Sequence, residues 1–174
     1  IDRKEFKKMD ELRVYIANLG KYSEGELVGE WFTLPVDEEK VAEQIGLNEI
    51  YEEYAIHDYE LPFEIDEYTS LEELNRLATL AQELEGMPFE DSIQEIQQAF
   101  FNSFEEMVEH KDDIVCYSDC ETMADVAVTL VEEGVLGEIP TNLVNYIDYE
   151  AFGRDLEMEG NFLVTRNGVF EYLE

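Results

Sequence analysis

The stretch VLGEIPTNLVNYIDYEAFGRDL, Val135 to Leu156, organises the reading of its surroundings. Gly134 and Gly137 suit the end of a preceding helix. Pro140 suits the first turn of a new one, and Asp148 can cap a short last helix from Tyr149. Leu136, Ile139, Leu143, Tyr146, Ile147, Phe152 and Leu156 are expected to pack as core, among Glu138, Asp148, Glu150, Arg154 and Asp155. No catalytic signature matches the stretch, and on its pattern alone it is a well-packed helical junction.

On the C-terminal side, Asn161–Thr165 and Val169–Leu173 flank Arg166–Asn167–Gly168, and Asn-Gly between two such runs signals a hairpin. On the N-terminal side, Ile114–Tyr117 reads as a short strand. Ser118 with Glu121 has the form of a capping box, and Met123, Val126, Ala127, Leu130 and Val131 give the following helix one apolar face. Further back, residues 69–111 read as helical. Ser70 with Glu73 opens a helix whose face is Leu71, Leu74, Leu77, Ala78, Ala81 and Leu84. Gly86 ends it and Pro88 starts the next, faced by Ile93, Ile96, Phe100 and Phe104. Ser103 with Glu106 begins a short piece carrying Met107 and Val108. The first part returns to strands at Val14–Leu19, stopped by Gly20, at Leu27–Leu34, closed by Pro35, and at Tyr54–Tyr59. Asp37 caps a helix running to about Ile45, with Gly46 just past its end.

The expected fold is therefore α+β in three small domains: residues 9–68 (α+β), 69–111 (an all-α bundle) and 112–174 (α+β). Residues 1–8, ahead of Met9, are set apart as an extension.

The charge is the strongest compositional signal. The 174 residues hold 44 Asp and Glu against 11 Lys and Arg, for a net charge of −33. Beyond position 13 only Lys21, Lys40, Arg76, Lys111, Arg154 and Arg166 offset the acids. Disorder is excluded by the 45% hydrophobic and 12% aromatic content, which needs a core to pack in. No signal peptide or membrane-length apolar run appears, and a cytoplasmic location is expected. Cys116 and Cys120 read as free thiols rather than a disulfide framework.

Chemistry of the usual kinds finds no support. His57 and His110 lack a convergent nucleophile and third group. Carboxylate pairs are too abundant to signal a glycosidase, and no EF-hand, P-loop or dinucleotide fingerprint is present. Neither cofactor nor metal is expected. Dense carboxylates repel one another and burden the compact state. Three explanations compete: a halophilic-type surface on an unidentified protein, a generic acidic protein-binding module, or mimicry of duplex DNA. Duplex DNA carries one charge per ~1.7 Å, so the net charge corresponds to roughly 56 Å of axis, against about 40 Å for a compact sphere of this length.

Four stretches, in this order, resemble the ArdA-type antirestriction proteins of mobile elements. They are VYIANLGKYSEGELVGEWF (Val14–Phe32), EEYAIHDYELPFEIDEY (Glu52–Tyr68), the Val135–Leu156 stretch, and NYIDYEAFGRDLEMEGNF (Asn145–Phe162), which overlaps it. The third is similar to the family's antirestriction region, which here comprises Val135, Leu136, Gly137, Glu138, Ile139, Pro140, Leu143, Tyr146, Asp148, Tyr149, Phe152 and Arg154. The match is loosest before Met9 and in the helical middle.

The resemblance implies an elongated, dimeric mimic of bent B-form DNA in three domains, not an enzyme. It implies that the chain occupies the DNA-binding groove of type I restriction–modification enzymes and their methyltransferase core, binding no nucleic acid or membrane itself. On this reading the expected charge carriers are Glu24, Glu26, Asp37, Glu38, Glu39, Glu43, Glu49, Glu52 and Glu53. Glu72, Glu73, Glu83, Glu85, Glu105 and Glu106 extend the track, and Asp112, Asp113, Asp125, Glu132 and Glu133 continue it. Arg154, nearly alone among acids, is expected to form a bidentate structural ion pair. A homodimer is expected through residues 112–174, with Ile114, Val115 and Tyr117 on a sticky edge strand at the interface.

Overall fold

A computed structural model describes residues 11–174. The chain divides between Met87 and Pro88 into two compact units. Each holds a three-stranded antiparallel sheet, and both units mix strands with helices, as an α+β reading requires.

In the first unit β1 (Arg13–Asn18) lies between β2 (Gly29–Thr33) and β3 (Tyr54–Glu60). Val14, Ile16 and Ala17 are fully buried. Gly20 does not stop the regular structure after β1, as had been expected. Asn18 instead caps a short helix, α1 (Leu19–Ser23), by accepting the Lys21 N–H at 3.0 Å. The Asn18 amide also donates to the carbonyls of Ile45 and Gly46, at 3.1 and 3.2 Å. A fully buried polar side chain thus ties β1 to the end of α2 (Glu38–Ile45). That helix has the expected boundaries: Asp37 caps it, and Gly46 leaves it at φ 72°, the left-handed region that favours glycine.

Helix α3 (Leu71–Gln82) buries Leu71, Leu74, Leu77, Ala78 and Ala81 along one face. Ser70 accepts the Glu73 N–H at 3.1 Å, but the Glu73 carboxylate turns to Arg76, so the reciprocal half of that capping box does not form. The helix is held within the first unit by side-chain bonds. Asn75 exchanges two 2.8 Å hydrogen bonds with the backbone of Val36, and the Leu71 N–H donates to the Tyr54 hydroxyl at 3.2 Å.

In the second unit the helix expected to start at Pro88 begins only at Ile93. Phe89 is buried, its carbonyl accepts the Ser92 N–H at 2.9 Å, and a single 3-10 turn over Glu90–Ser92 precedes α4 (Ile93–Phe100). Ser103 caps α5 (Phe104–Glu109), while the Glu106 carboxylate reaches back to the Asn102 N–H at 2.8 Å. The second sheet has the order β4 (Ile114–Tyr117), β6 (Gly168–Tyr172), β5 (Asn161–Thr165). The expected hairpin forms, but its turn is Arg166–Asn167: Gly168, at φ 128°, already pairs with Thr165 as the first residue of β6.

The expected Ser118–Glu121 capping box is not formed. Those residues make the turn after β4, in which the Cys120 N–H donates to the Tyr117 carbonyl. The box lies four residues on. Thr122 Oγ1 accepts the Asp125 N–H, and the Asp125 carboxylate accepts the N–H groups of Glu121 and Thr122, both at 3.0 Å. This caps α6 (Met123–Glu132), which packs against α7 (Tyr149–Glu159). The close approach is at Gly153, where a Cβ would fall 2.6 Å from the Met123 carbonyl carbon. None of α2 to α7 carries Lys or Arg in its last turn. Glu43, Glu83, Glu109, Glu132 and Glu159 lie at or beside those ends instead.

Candidate acidic interaction surface

Of the acids expected to carry the charge track, all are exposed except Glu73, Glu105, Glu106 and Asp113, which are half-buried. In the first unit Glu24 and Glu26 follow α1. Glu38, Glu39 and Glu43 line α2, and Glu49, Glu52 and Glu53 lead into β3. Glu72 and Glu73 open α3, and Glu83 and Glu85 follow its end. In the second unit Glu105 and Glu106 open α5. Asp112 and Asp113 precede β4, and Asp125, Glu132 and Glu133 belong to α6 and its end. Water solvates most of these carboxylates, so their charge costs little desolvation.

Several have local work as well. Asp37 accepts the Glu39 and Lys40 N–H groups at 2.9 and 3.2 Å. The Arg76 hydrogen bond holds the Glu73 carboxyl below its ordinary range. Backbone N–H groups of Glu121 and Thr122 do the same for Asp125. Glu24 accepts the Tyr51 hydroxyl at 2.9 Å, which pushes that phenol up. Asp113 faces His110 Nδ1 at 3.1 Å. These carboxylates are anchored in orientation, while neighbours such as Glu38, Glu52 and Glu53 are not.

The antirestriction region departs most from expectation. Leu136, Leu143 and Tyr146 are not core but exposed, as is Val135, with Tyr146 at 84%. Ile139, Ile147, Phe152 and Leu156 are only half-buried. The interior beside them is already occupied by Cys120, Met123, Val126 and Val169, with Tyr117, Leu130, Leu156 and Phe162 packed around them. Between α6 and α7 the chain leaves through Gly134 and Gly137, at φ 85° and 78°. It then turns at Pro140, whose carbonyl accepts the Leu143 N–H, and passes a 3-10 turn over Val144–Tyr146. Asp148 caps α7 as expected, accepting the Ala151 N–H at 3.0 Å. Glu138 and Asp148 are exposed and Tyr149 is half-buried.

Arg154 does not form the expected ion pair: it is exposed and has no salt bridge among the described residues. Asp148 is engaged as the helix cap and Asp155 projects from another side of the helix, while Glu150 and Glu157, one turn away on either side, are exposed and gain little from an ion pair in water.

Strand β4 is an edge of its sheet, with Ile114 buried and Val115 and Tyr117 half-buried. The Tyr117 hydroxyl donates to Glu171 across the strands at 2.8 Å, and burial together with that carboxylate pushes the phenol well up. Both cysteines are free thiols, and burial raises that of Cys116. His57 is exposed and lies edge-on to Tyr22. Among the described residues no cluster of His, Cys, Asp and Glu could hold a metal ion, and no helix is long and apolar enough to cross a membrane.

Two constellations went unread in the sequence. Arg13 lies over the Trp31 ring, 5.3 Å from its centroid, while donating to Glu60 at 2.8 and 3.1 Å. Lys21 lies over Tyr51, 5.7 Å from its centroid, and Tyr51 is bonded to Glu24. The first joins three strands, and the second brings Tyr51 to a cation and a carboxylate at the end of α1, contacts between residues far apart in sequence that only the fold creates.

The described residues thus present an exposed acidic surface and, in the second unit, an exposed apolar loop. The family model of the antirestriction protein ArdA matches residues 14–171. The chain belongs to that family, whose proteins act on restriction enzymes as inhibitors rather than as enzymes. No match was found among the curated proteins.

Proposed function

We propose that the chain is a DNA mimic that enters the DNA-binding groove of type I restriction–modification enzymes and competes with DNA, blocking restriction and modification. The observation that carries the reading is the exposed carboxylate array spread over both units, on a chain of net charge −33. Such an array meets the Lys and Arg that normally hold phosphates, and phosphate contacts supply most non-specific affinity without base recognition. Residues 9–68 and 69–111 carry most of the track, and residues 112–174 pair two chains into an elongated dimer in the cytoplasm. The edge strand at Ile114, Val115 and Tyr117 and the exposed Val135, Leu136, Leu143 and Tyr146 support that pairing, since apolar surface of this kind favours burial against a partner. A two-fold arrangement would cover both copies at once.

The test is displacement of a labelled DNA duplex from a type I methyltransferase core. Stoichiometric displacement that weakens as salt rises is the expected result. Retention of DNA at saturating protein would refute the mimicry and leave a generic acidic binding module. Light scattering tests the pairing separately: Tyr117→Asp is expected to shift a dimer toward monomer.

A further inference from the structure

The first unit contains a concavity of about 520 Å³ lined by Leu19, Glu52, Glu53, Tyr54 and Tyr68. Part of its lining is held in place. The Leu19 N–H donates to the Glu53 carbonyl at 3.0 Å, and the Tyr54 hydroxyl accepts the Leu71 N–H. The other lining side chains are open to a partner. Tyr68 is 64% exposed, and Glu52 and Glu53 make no side-chain hydrogen bond or ion pair among the described residues.

The same unit shows twice what such a combination does with a cation. Arg13 lies over Trp31 while bonded to Glu60, and Lys21 lies over Tyr51, whose hydroxyl is bonded to Glu24. Each case sets a positive head group on an aromatic face; the carboxylate bonds the cation itself at Arg13 and the phenol at Lys21, so the ring quadrupole acts in both and charge-assisted hydrogen bonding at Arg13. Tyr68 with Glu52 and Glu53 repeats those ingredients in a concave setting that lacks a Lys or Arg among its lining residues.

The geometry points to this concavity as a docking pocket for one arginine side chain of the inhibited enzyme, an inference that rests on the function proposed above. The guanidinium stacks on Tyr68 and is held by Glu52 and Glu53. A planar fork suits this better than an ammonium, because it can stack and bond at the same time. The site departs from phosphate imitation in one respect: a phosphate offers oxygen atoms but no aromatic face. The pocket would therefore make some contacts that DNA does not.

The experiment compares displacement of duplex DNA from the type I methyltransferase core by wild type, Tyr68→Ala, Tyr68→Phe and Glu52→Gln/Glu53→Gln. Glu157→Gln/Glu159→Gln serves as a charge-matched control, and folding is verified by circular dichroism. Tyr68→Ala and the pocket double variant are each expected to weaken displacement about tenfold, the control about twofold or less, and Tyr68→Phe hardly at all because the ring survives. Tyr68→Ala should leave the salt dependence unchanged, while the double variant reduces it. If wild type displaces DNA but the pocket variants lose no more than the control, the pocket is refuted and the mimicry stands. If wild type displaces no DNA, the proposed function falls and the pocket with it.

Discussion

The two sheets of this protein have the same number of strands and the same antiparallel pairing, yet they are anchored in opposite ways. In the first unit a fully buried amide, Asn18, satisfies three backbone groups at the junction of β1, α1 and α2. In the second the decisive residue is one without a side chain: Gly153 lets α7 approach the backbone of α6. One unit is held by a polar group that must be present, the other by an atom that must be absent. The contrast shows that units of similar size can fail by different routes, one through orphaned carbonyls and the other through overpacking.

The largest effect is expected from breaking the polar anchor. Asn18→Ala leaves the Ile45 and Gly46 carbonyls without their partner and uncaps α1, and should cost about 3 kcal/mol in urea unfolding. A loss below about 1 kcal/mol would mean that water re-satisfies the site. Gly153→Ala tests the other anchor. The methyl raises helix propensity by about 1 kcal/mol, but it collides with backbone that cannot rotate away, so a net loss of about 1–2 kcal/mol is expected. A stabilised variant would show that the two helices move apart freely.

Smaller effects should sharpen the comparison. Thr122→Ala removes half of the capping box on α6 and should cost about 1 kcal/mol in the same assay. Its partner Asp125 has a carboxyl held below its ordinary value by the N–H groups of Glu121 and Thr122. That stabilisation is present above the unfolded value and is lost as pH falls through the lower folded one. An acid titration followed by circular dichroism should therefore show a shallower loss below about pH 3.8 in Asp125→Asn than in wild type. The mildest effect is on the whole charged surface. Raising NaCl from about 0.02 to 0.3 M should lift the melting temperature by a few degrees through screening of self-repulsion. A flat response would show that the acids are already compensated.

Elements with a local punctuation signal were legible from the residues. Asp37 and Gly46 bounded α2, Asn167–Gly168 located the hairpin, and Ile114–Tyr117 matched β4. Failures came where two local signals competed or where the outcome depended on what else filled the core. Ser118 and Thr122 can both cap a helix, and the turn at Tyr117–Cys120 decided between them. Asn18 before Leu19 is itself a cap signal, and Gly20 drew attention away from it. A glycine in mid-helix, such as Gly153, flags a close contact, although no local pattern names Met123 as the neighbour. The apolar residues of 135–147 look like core by composition, but the core cluster of the second unit is built from Met123, Val126 and Val169, and Val135, Leu136, Leu143 and Tyr146 stay exposed. For the acidic surface, exposure could be expected residue by residue. The pairing of cations with aromatic faces could not, because Arg13 meets Trp31 and Glu60 only through strand register.

The ends of the helices extend the meaning of that surface. A helix carries a partial negative charge at its C-terminus, from carbonyls without intrahelical partners, and proteins commonly place a basic residue there. From α2 to α7 none does so, and glutamates occupy several of these ends. The backbone therefore adds its own negative poles to the side-chain charge instead of being neutralised by it. This component has no proton to gain and no side chain to replace. Acidification or wholesale Glu→Gln exchange would erase the carboxylates and still leave an oriented residue of attraction for cations, written into the peptide bonds themselves.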